Sequence, residues 1–202
     1  TTSLDNTINN QKQDRILIQS DYVLPLGKGS QFEAGYRGDF SKLVTDYEVK
    51  NKGIINVIFT NVLEYKEKVN ALYTQYGFKQ NKISVLLGMR FEDSNIEINK
   101  LATNNFNTKK YSNFFPSAFF TYEISDKSSA SLSYSRRIQR PRGRMLNPFN
   151  NLASNINLFE GNPDLNPSMT DAIDFGYIKR WSNLTFNTSL YYNKTTDVFL
   201  MA

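Results

Sequence analysis

Apolar and polar residues alternate along most of this chain with a period of two. Between Arg15 and Leu26 the even positions Ile16, Ile18, Tyr22 and Leu24 are apolar, while the odd ones include Gln19 and Asp21. A period of two puts successive side chains on opposite faces of an extended backbone, so the segment predicts a β-strand. Gly27-Lys28-Gly29-Ser30 follows as a tight turn, because glycine adopts the positive φ that such turns require. Phe32, Ala34, Tyr36 and Phe40 then share one face, with Glu33, Gly35, Arg37 and Asp39 on the other, which completes a hairpin.

From Ser41 to Thr60 the alternation lapses into TDYEVKNKG and the apolar stretch Ile54 to Phe59, which predicts a long excursion containing a short strand. Val69, Ala71 and Tyr73 restore the period, but the apolar set then moves to Tyr76 and Phe78. That shift predicts a bulge or an early strand end. After the polar connection Lys79 to Lys82, Ile83, Val85, Leu87, Met89 and Phe91 line one face against Ser84, Gly88, Arg90 and Glu92. A second polar excursion runs from Asp93 to Lys110. Phe114, Ala118, Phe120 and Tyr122 then alternate with Ser117, Thr121 and Glu123, with Pro116 near the strand's start, where the missing N–H is tolerated. Ser125 to Ser128 makes a tight turn, and Ala130, Leu132 and Tyr134 oppose Ser131, Ser133, Ser135 and Arg137. A third excursion reaches Pro167. Ile173, Phe175 and Tyr177 then oppose Asp174 and Gly176; Arg180 to Asn183 turns the chain; and Leu184, Phe186, Leu190 and Tyr192 oppose Thr185, Asn187 and Ser189.

The pattern amounts to about eight strands of roughly ten residues, joined alternately by short turns and long loops, as in outer-membrane barrels. The fold class it predicts is all-β: an antiparallel up-and-down meander that is part of a transmembrane β-barrel, with residues 1–202 as one barrel segment. Lipid demands closure of such a sheet, since unpaired backbone groups in hydrocarbon cost several kcal/mol each. Glu33, Arg37, Asp39, Arg90 and Glu92 on the other face suit a water-filled lumen. A soluble antiparallel barrel or sandwich also alternates, but its connections are usually of mixed length. Eight strands of a larger barrel would leave two open edges, and the piece is expected to fold back, close differently, swap strands or associate unless other chains cover them.

Composition changes this picture in three ways. Aromatics make up 14% of a chain whose mean hydropathy is -0.49, a mixture that strands with one apolar and one wet face produce. The chain has neither cysteine nor histidine. Disulfides and thiolate metal sites are therefore excluded, as are His-based acid/base catalysis, the Ser-His-Asp triad and nearly all zinc chemistry. No catalytic set, cofactor site or metal site is predicted, and the expectation is that the protein is not an enzyme. The opening TTSLDNTINNQKQD has neither a basic nor an apolar leader region, so the expectation is either a cytoplasmic protein or an internal piece of a longer exported chain.

The net charge of +5 draws attention to Arg136, Arg137, Arg140, Arg142 and Arg144, clustered where the seventh strand runs into the third excursion. Clustered arginine can neutralise nucleic-acid phosphates, but this segment is neither an amphipathic helix nor studded with stacking aromatics. Arg137, Arg140, Arg142 and Arg144 are the candidates for contact with an anionic ligand or a lipopolysaccharide phosphate at the loop mouth. The plainer reading, which is favoured, has Arg137 share parity with the serines of the wet face and pair with carboxylates of neighbouring strands or of a lumen-filling domain. Gly161-Asn162-Pro163-Asp164-Leu165-Asn166-Pro167 first specifies turns. Glu92 and Asp93 are adjacent, hence on opposite faces of a strand and unfit to act as a pair.

These same stretches carry a family resemblance. RRIQRPRGRMLNPF (Arg136 to Phe149), GNPDLNP (Gly161 to Pro167) and DFGY (Asp174 to Tyr177) occur in the order found in TonB-dependent outer-membrane receptors of the Bacteroidetes-type outer-membrane β-barrel family. VNALY (Val69 to Tyr73), LLGMRFE (Leu86 to Glu92) and FFPSAFFTYEIS (Phe114 to Ser125) are similar to that family too. The resemblance covers most of residues 65–195, and it departs at Asn166-Pro167-Ser168, where the family often has Lys-Pro-Glu. It implies nutrient uptake across the outer membrane of a Gram-negative bacterium. It also implies a barrel of about twenty-two strands, a plug domain and an energy-coupling protein as partners alongside outer-membrane lipid, and a nutrient ligand. A soluble or surface-exposed β-domain that binds a protein or glycan is the alternative. A complete small barrel acting as an enzyme or porin is a third reading.

Overall fold

The computed structural model describes residues 5–57, 60–101, 105–141, 143–146, 151–152, 158–159, 161–162 and 164–199. In chain order the elements are β1 (Asp5–Gly27), β2 (Ser30–Asn51), β3 (Ile54–Ile55), β4 (Asn61–Gln80), β5 (Ile83–Lys100), β6 (Asn105–Ser125), β7 (Ser128–Gln139), the single turn of helix α1 (Gly143–Leu146), β8 (Asn151–Leu152), β9 (Leu158–Phe159), β10 (Ser168–Arg180) and β11 (Thr185–Thr196). The eight long strands form one antiparallel sheet in the order β1-β2-β4-β5-β6-β7-β10-β11, with β3 paired to the end of β2; β8 and β9 form a separate ladder.

Each strand pairs with its neighbours in sequence, so the meander is set by local turns. The first of these has Gly27, Lys28 and Gly29 at φ of 77°, 49° and 76°, and the Ser30 hydroxyl donates to the Gly27 carbonyl at 2.8 Å. Three successive positive-φ residues reverse the chain within the twist of the sheet, and glycine at two of them removes the Cβ penalty. The tight turns all lie at one end of the sheet and the longer connections at the other.

The strands are longer than the sequence predicts. β1 and β2 have 23 and 22 residues, and most of the two excursions expected at Ser41 to Thr60 and Asp93 to Lys110 is strand. The bulge expected in β4 is absent as well. Its pairing with β2 runs from Tyr47↔Asn61 to Ser30↔Phe78, and with β5 from Leu63↔Lys100 to Gln80↔Ile83, without a shift of register. Both corrections have one cause: the apolar parity inverts partway along the strands. In the halves near the tight turns, Phe32, Tyr36, Leu72, Tyr76, Leu87, Phe91, Phe114 and Phe120 stand on one face. In the halves of β2, β4 and β5 near the long connections Leu43, Tyr47, Val49, Leu63, Tyr65, Ile96 and Ile98 stand on the opposite face, while Val44 and Val62 stay on the first. On β4 the change falls between Ala71 and Leu72, where the sequence mimics a bulge.

Burial runs against the habit of soluble proteins. Among the described residues, the buried side chains of the strands, from Tyr47, Leu63 and Val69 to Glu92, Ser94, Phe115 and Ala172, all stand on the face that carries Arg37 and Glu92. On the other face Ile16, Leu72, Leu87, Phe114, Leu132, Phe175 and Leu190 are exposed. That apolar band runs from Ile16 to Leu26 on β1, Phe32 to Phe40 on β2, Ile83 to Phe91 on β5 and Phe114 to Ile124 on β6, about the 9–11 residues that cross a hydrocarbon core when tilted by roughly 45°, and it is shorter on β4, β7, β10 and β11.

Beyond the band, the exposed face turns charged. Glu64 lies between Lys42 (2.6 Å) and Lys66 (2.7 Å). Hydrogen bonds from Lys42 and then Lys66 hold the Glu64 carboxyl below its ordinary value. The sign follows: a depressed carboxyl supports the fold above its unfolded pKa and loses that support as pH falls through the folded one. The protection of the Lys42 to Tyr47 amides from hydrogen exchange, relative to the unstructured chain at the same pH, is therefore expected to fall on acidification below the ordinary glutamate range, and Glu64→Gln should abolish that dependence.

Among the described residues the outer strands β1 and β11 pair on one side only. The expectation that an eight-stranded piece would fold back or close on itself is thus overturned for the single chain, which stays an open sheet. The tight turns and the continuous registers fix each strand to its two neighbours in sequence, so no strand is free to bridge the edges.

Candidate functional site

The polar face carries a site built in two tiers. The upper tier is where the connection after β7 folds back onto the sheet. Leu146 of α1 is 1% exposed and packs with Leu63, Tyr65, Ile96 and Ile98, with Leu43, Tyr111 and Leu165 at the margin. This explains the inverted parity, since the upper halves of β2, β4 and β5 need apolar residues facing the connection. The Asn162 N–H donates to the Met145 carbonyl at 2.8 Å, and Lys109 Nζ donates to the Leu165 carbonyl at 2.9 Å. Burial lowers the pKa of Lys109.

Arg140 anchors this connection, one residue beyond β7. Its Nη2 donates to a Glu92 carboxylate oxygen and to Ser94 Oγ (2.9 Å), and its Nε donates to the Tyr111 hydroxyl (3.1 Å). The same Nε lies 3.4 Å from Glu67, and Arg90 Nε reaches the second Glu92 oxygen at 2.6 Å. Burial works to lower the pKa of Arg140, but the hydrogen bond to Glu92, with Tyr111 and the carboxylates behind it, holds the value above the ordinary one. The Tyr65 hydroxyl donates to Glu67 at 3.2 Å; burial, and then the negative charge of Glu67, push its pKa far up. Three strands, β4, β5 and β6, and the connection thus meet in one charge-assisted network, which is stronger than isolated neutral bonds.

The lower tier is a hollow of about 450 Å³ beneath Arg140, lined by Arg15, Arg37, Asp39, Glu67, Arg90 and Glu92 among others. Arg15 grips Asp39 along one guanidinium edge, Nε donating to Oδ1 at 2.7 Å and Nη2 to Oδ2. In the row below, Asp21, Gly35, Tyr73 and Arg90 stand in register. The Tyr73 ring lies flat across Gly35 so that its hydroxyl reaches Asp21, and a Cβ on Gly35 would come within 2.7 Å of that ring. Gly35→Val is therefore expected to lift Tyr73 off the sheet and cost about 1–3 kcal/mol, the range for overpacking. Unfolding in urea measures this, and a second substitution, Tyr73→Ala, should remove most of the added cost.

The arginines singled out by sequence do not converge. Arg140 is at the site. Arg137 stands on the polar face at the end of β7 opposite Thr170, exposed and without an ion pair among the described residues. Of the two pairings expected for it, none with a neighbouring strand occurs among the described residues, where Arg140 makes that kind of contact instead, and pairing with a lumen-filling domain is the other. Arg142 lies outside the described residues, as do Asn147 to Phe149 and Pro163. Arg144 falls in α1, with nothing described of its side chain. Arg136 faces the other way, 3.8 Å from Asp171. Glu92 and Asp93 separate across the sheet as expected: Asp93 accepts from Ser112 at 2.8 Å on the exposed face. Arg37 was read only as a lumen-facing residue, and Arg15, Glu67 and Tyr111 were not singled out, although the alternation within each strand made their face readable. Among the described residues no group of three or more Asp, Glu, His or Cys side chains could hold a metal ion.

The sequence profile of the outer membrane protein beta-barrel family matches residues 1–201. No curated protein matches the chain. Solved structures of similar fold include the ferric citrate transporter FecA in its unliganded form, with a TM-score of 0.63 and 13% identity over 94% of this chain and 28% of that one. The ferric yersiniabactin uptake receptor FyuA from Yersinia pestis aligns with a TM-score of 0.69 and 9% identity over 95% of this chain and 30% of that one. The alcaligin outer membrane receptor FauA from Bordetella pertussis gives 0.59 and 15% over 95% and 30%. The chain therefore spans less than a third of the length of each of these proteins.

Proposed function

This chain belongs to the outer membrane protein β-barrel family, and from that premise we propose that it is part of the barrel wall of a TonB-dependent receptor that takes up a nutrient across the outer membrane. The observation that carries this reading is the reversal of burial: the apolar face is the exposed one, over a band as tall as hydrocarbon, while charged residues occupy the sheltered face. In water such a face would aggregate; in lipid it is solvated. The tight-turn end then lies in the periplasm and the long connections outside the cell.

Residues 1–202 act as one segment of a larger barrel whose further strands cover the edges of β1 and β11. The lumen face holds a plug domain, an energy-coupling protein acts from the periplasmic side, and the nutrient is met by loops. The wall works physically rather than chemically and performs no bond-making step. Arg140 serves the wall by holding the connection after β7 in place, whereas Arg137, Arg142 and Arg144 are the arginines left for a ligand.

Circular dichroism and sedimentation in detergent and in plain buffer test the reading. Folded strand signal only in detergent is expected, and a cooperative, folded, detergent-free monomer would reject it. Uptake by cells whose receptor carries Arg137, Arg142 and Arg144 as glutamine tests the ligand role separately; a normal rate removes it.

A further inference from the structure

We propose that Arg37 is the docking point for a carboxylate side chain of the protein segment that fills the barrel from the periplasmic side. The inference rests on the barrel-wall reading and names the chemistry of the contact. In the 450 Å³ hollow each carboxylate already has its cation: Asp39 has Arg15, Glu92 has Arg90 and Arg140, and Glu67 has Arg140. Arg37 lines the same hollow, yet its guanidinium makes no hydrogen bond or ion pair among the described residues. It also lines a second hollow of about 390 Å³ toward the tight turns, shared with Asp21, Tyr73, Gly88, Arg90 and Ser117. Asp21 is turned away from it by Tyr73 and Gln19. Among the described residues that line the first hollow, four guanidiniums face three carboxylates, and Arg37 is the guanidinium that bonds none of them.

Asp39, already gripped by Arg15, feels the charge of Arg37 without bonding it, so the half-sheltered guanidinium keeps its donors available, and its planar fork matches a carboxylate in two parallel bonds. The direction of approach follows from the upper tier. Arg140 bounds the hollow on the side of the long connections, with the cluster of Leu146 and Leu165 stacked on the sheet beyond it, whereas Gly88 and Ser117 leave the side of the tight turns low enough for a backbone to come close. A solute arriving from outside the cell meets that cluster first; a segment entering from the periplasm meets Arg37. The occupant is therefore an acidic residue of a lumen-filling domain.

The test uses the full receptor in detergent, with a single reporter Ser117→Cys, any cysteine outside this chain removed, and a charged, water-soluble thiol reagent as probe. With Arg37 intact, labelling should be slow, because the occupant covers the wall. Arg37→Gln should speed labelling about tenfold or more, the scale of losing one partner of a sheltered charge pair, and Arg37→Lys should restore most of the protection. Retained heat-modifiable mobility on electrophoresis certifies that the barrel of each variant is folded. Slow labelling that Arg37→Gln leaves unchanged overturns the role of Arg37 and keeps the filled barrel. Fast labelling with Arg37 intact overturns the filled barrel itself.

Discussion

Arg140→Ala is expected to destabilise the protein by about 3 kcal/mol and to release the connection after β7 from the wall. Removing one partner of a buried pair costs roughly 3–5 kcal/mol, because the other charge is stranded. The low end applies, since Glu92 keeps Arg90 at 2.6 Å. Glu67, Ser94 and Tyr111 each lose a neighbour at the same time, and the apolar cluster around Leu146 loses its tether. The comparison that isolates the effect is Arg136→Ala four residues earlier. That exposed pair sits 3.8 Å from Asp171 and should contribute no more than about 0.5 kcal/mol. Urea unfolding in detergent gives both values, and hydrogen exchange at Gly143 to Leu146 reports the release. The double variant Arg140→Met with Glu92→Gln should recover most of the loss, because stranding the charge is the damage. Equal effects of Arg140→Ala and Arg136→Ala would remove the network from the account.

Leu132→Arg and Ser133→Arg, adjacent on β7, should differ in the opposite sense to a soluble sheet. Leu132 is half exposed on the apolar face, in register with Phe120 and Phe175. Arginine there meets hydrocarbon and costs about 2–4 kcal/mol near the bilayer centre. Ser133 lies between Phe119 and Asp174 on the face that becomes the lumen, where a long cation reaches water and a carboxylate and should change stability by less than about 1 kcal/mol. In a soluble sheet the exposed Leu132 would accept arginine cheaply. Unfolding from lipid vesicles, or the amount of each variant assembled into outer membranes, distinguishes the two cases.

The meander, its tight turns and the assignment of faces were legible because each rests on neighbours in sequence. Ile83 to Phe91 alternates cleanly, and the structure pairs it as read. Strand lengths were not legible by the same rule. The rule looks for apolar residues of constant parity, whereas LVTDYEVKN in β2 keeps a period of two with the faces exchanged, Leu43, Tyr47 and Val49 inward and Lys42, Asp46 and Glu48 outward. Seeking the inverted parity would have found the upper strands and, with them, the need for something apolar to cover them. Leu146 and Leu165 could not be found as that cover, since their contacts with Leu63, Tyr65, Ile96 and Ile98 join distant parts of the chain and leave no local pattern. The arginine cluster was visible as charge, but only the fold reveals that Arg140 turns inward while Arg136 turns out.

The two-faced wall is tested most directly by spin labels placed one at a time along Ser128 to Gln139 and Ser168 to Arg180, in a chain with no native cysteine, within the full receptor in lipid bilayers. Collision with oxygen, which concentrates in hydrocarbon, and with a water-soluble nickel complex should alternate with a period of two. Oxygen should dominate at Leu132, Tyr134, Ile173 and Phe175, and low access to oxygen should mark Ser131, Ser133, Ser135, Asp174 and Gly176. Equal access to nickel on both faces, or oxygen access on the serine face, would contradict a barrel wall in lipid.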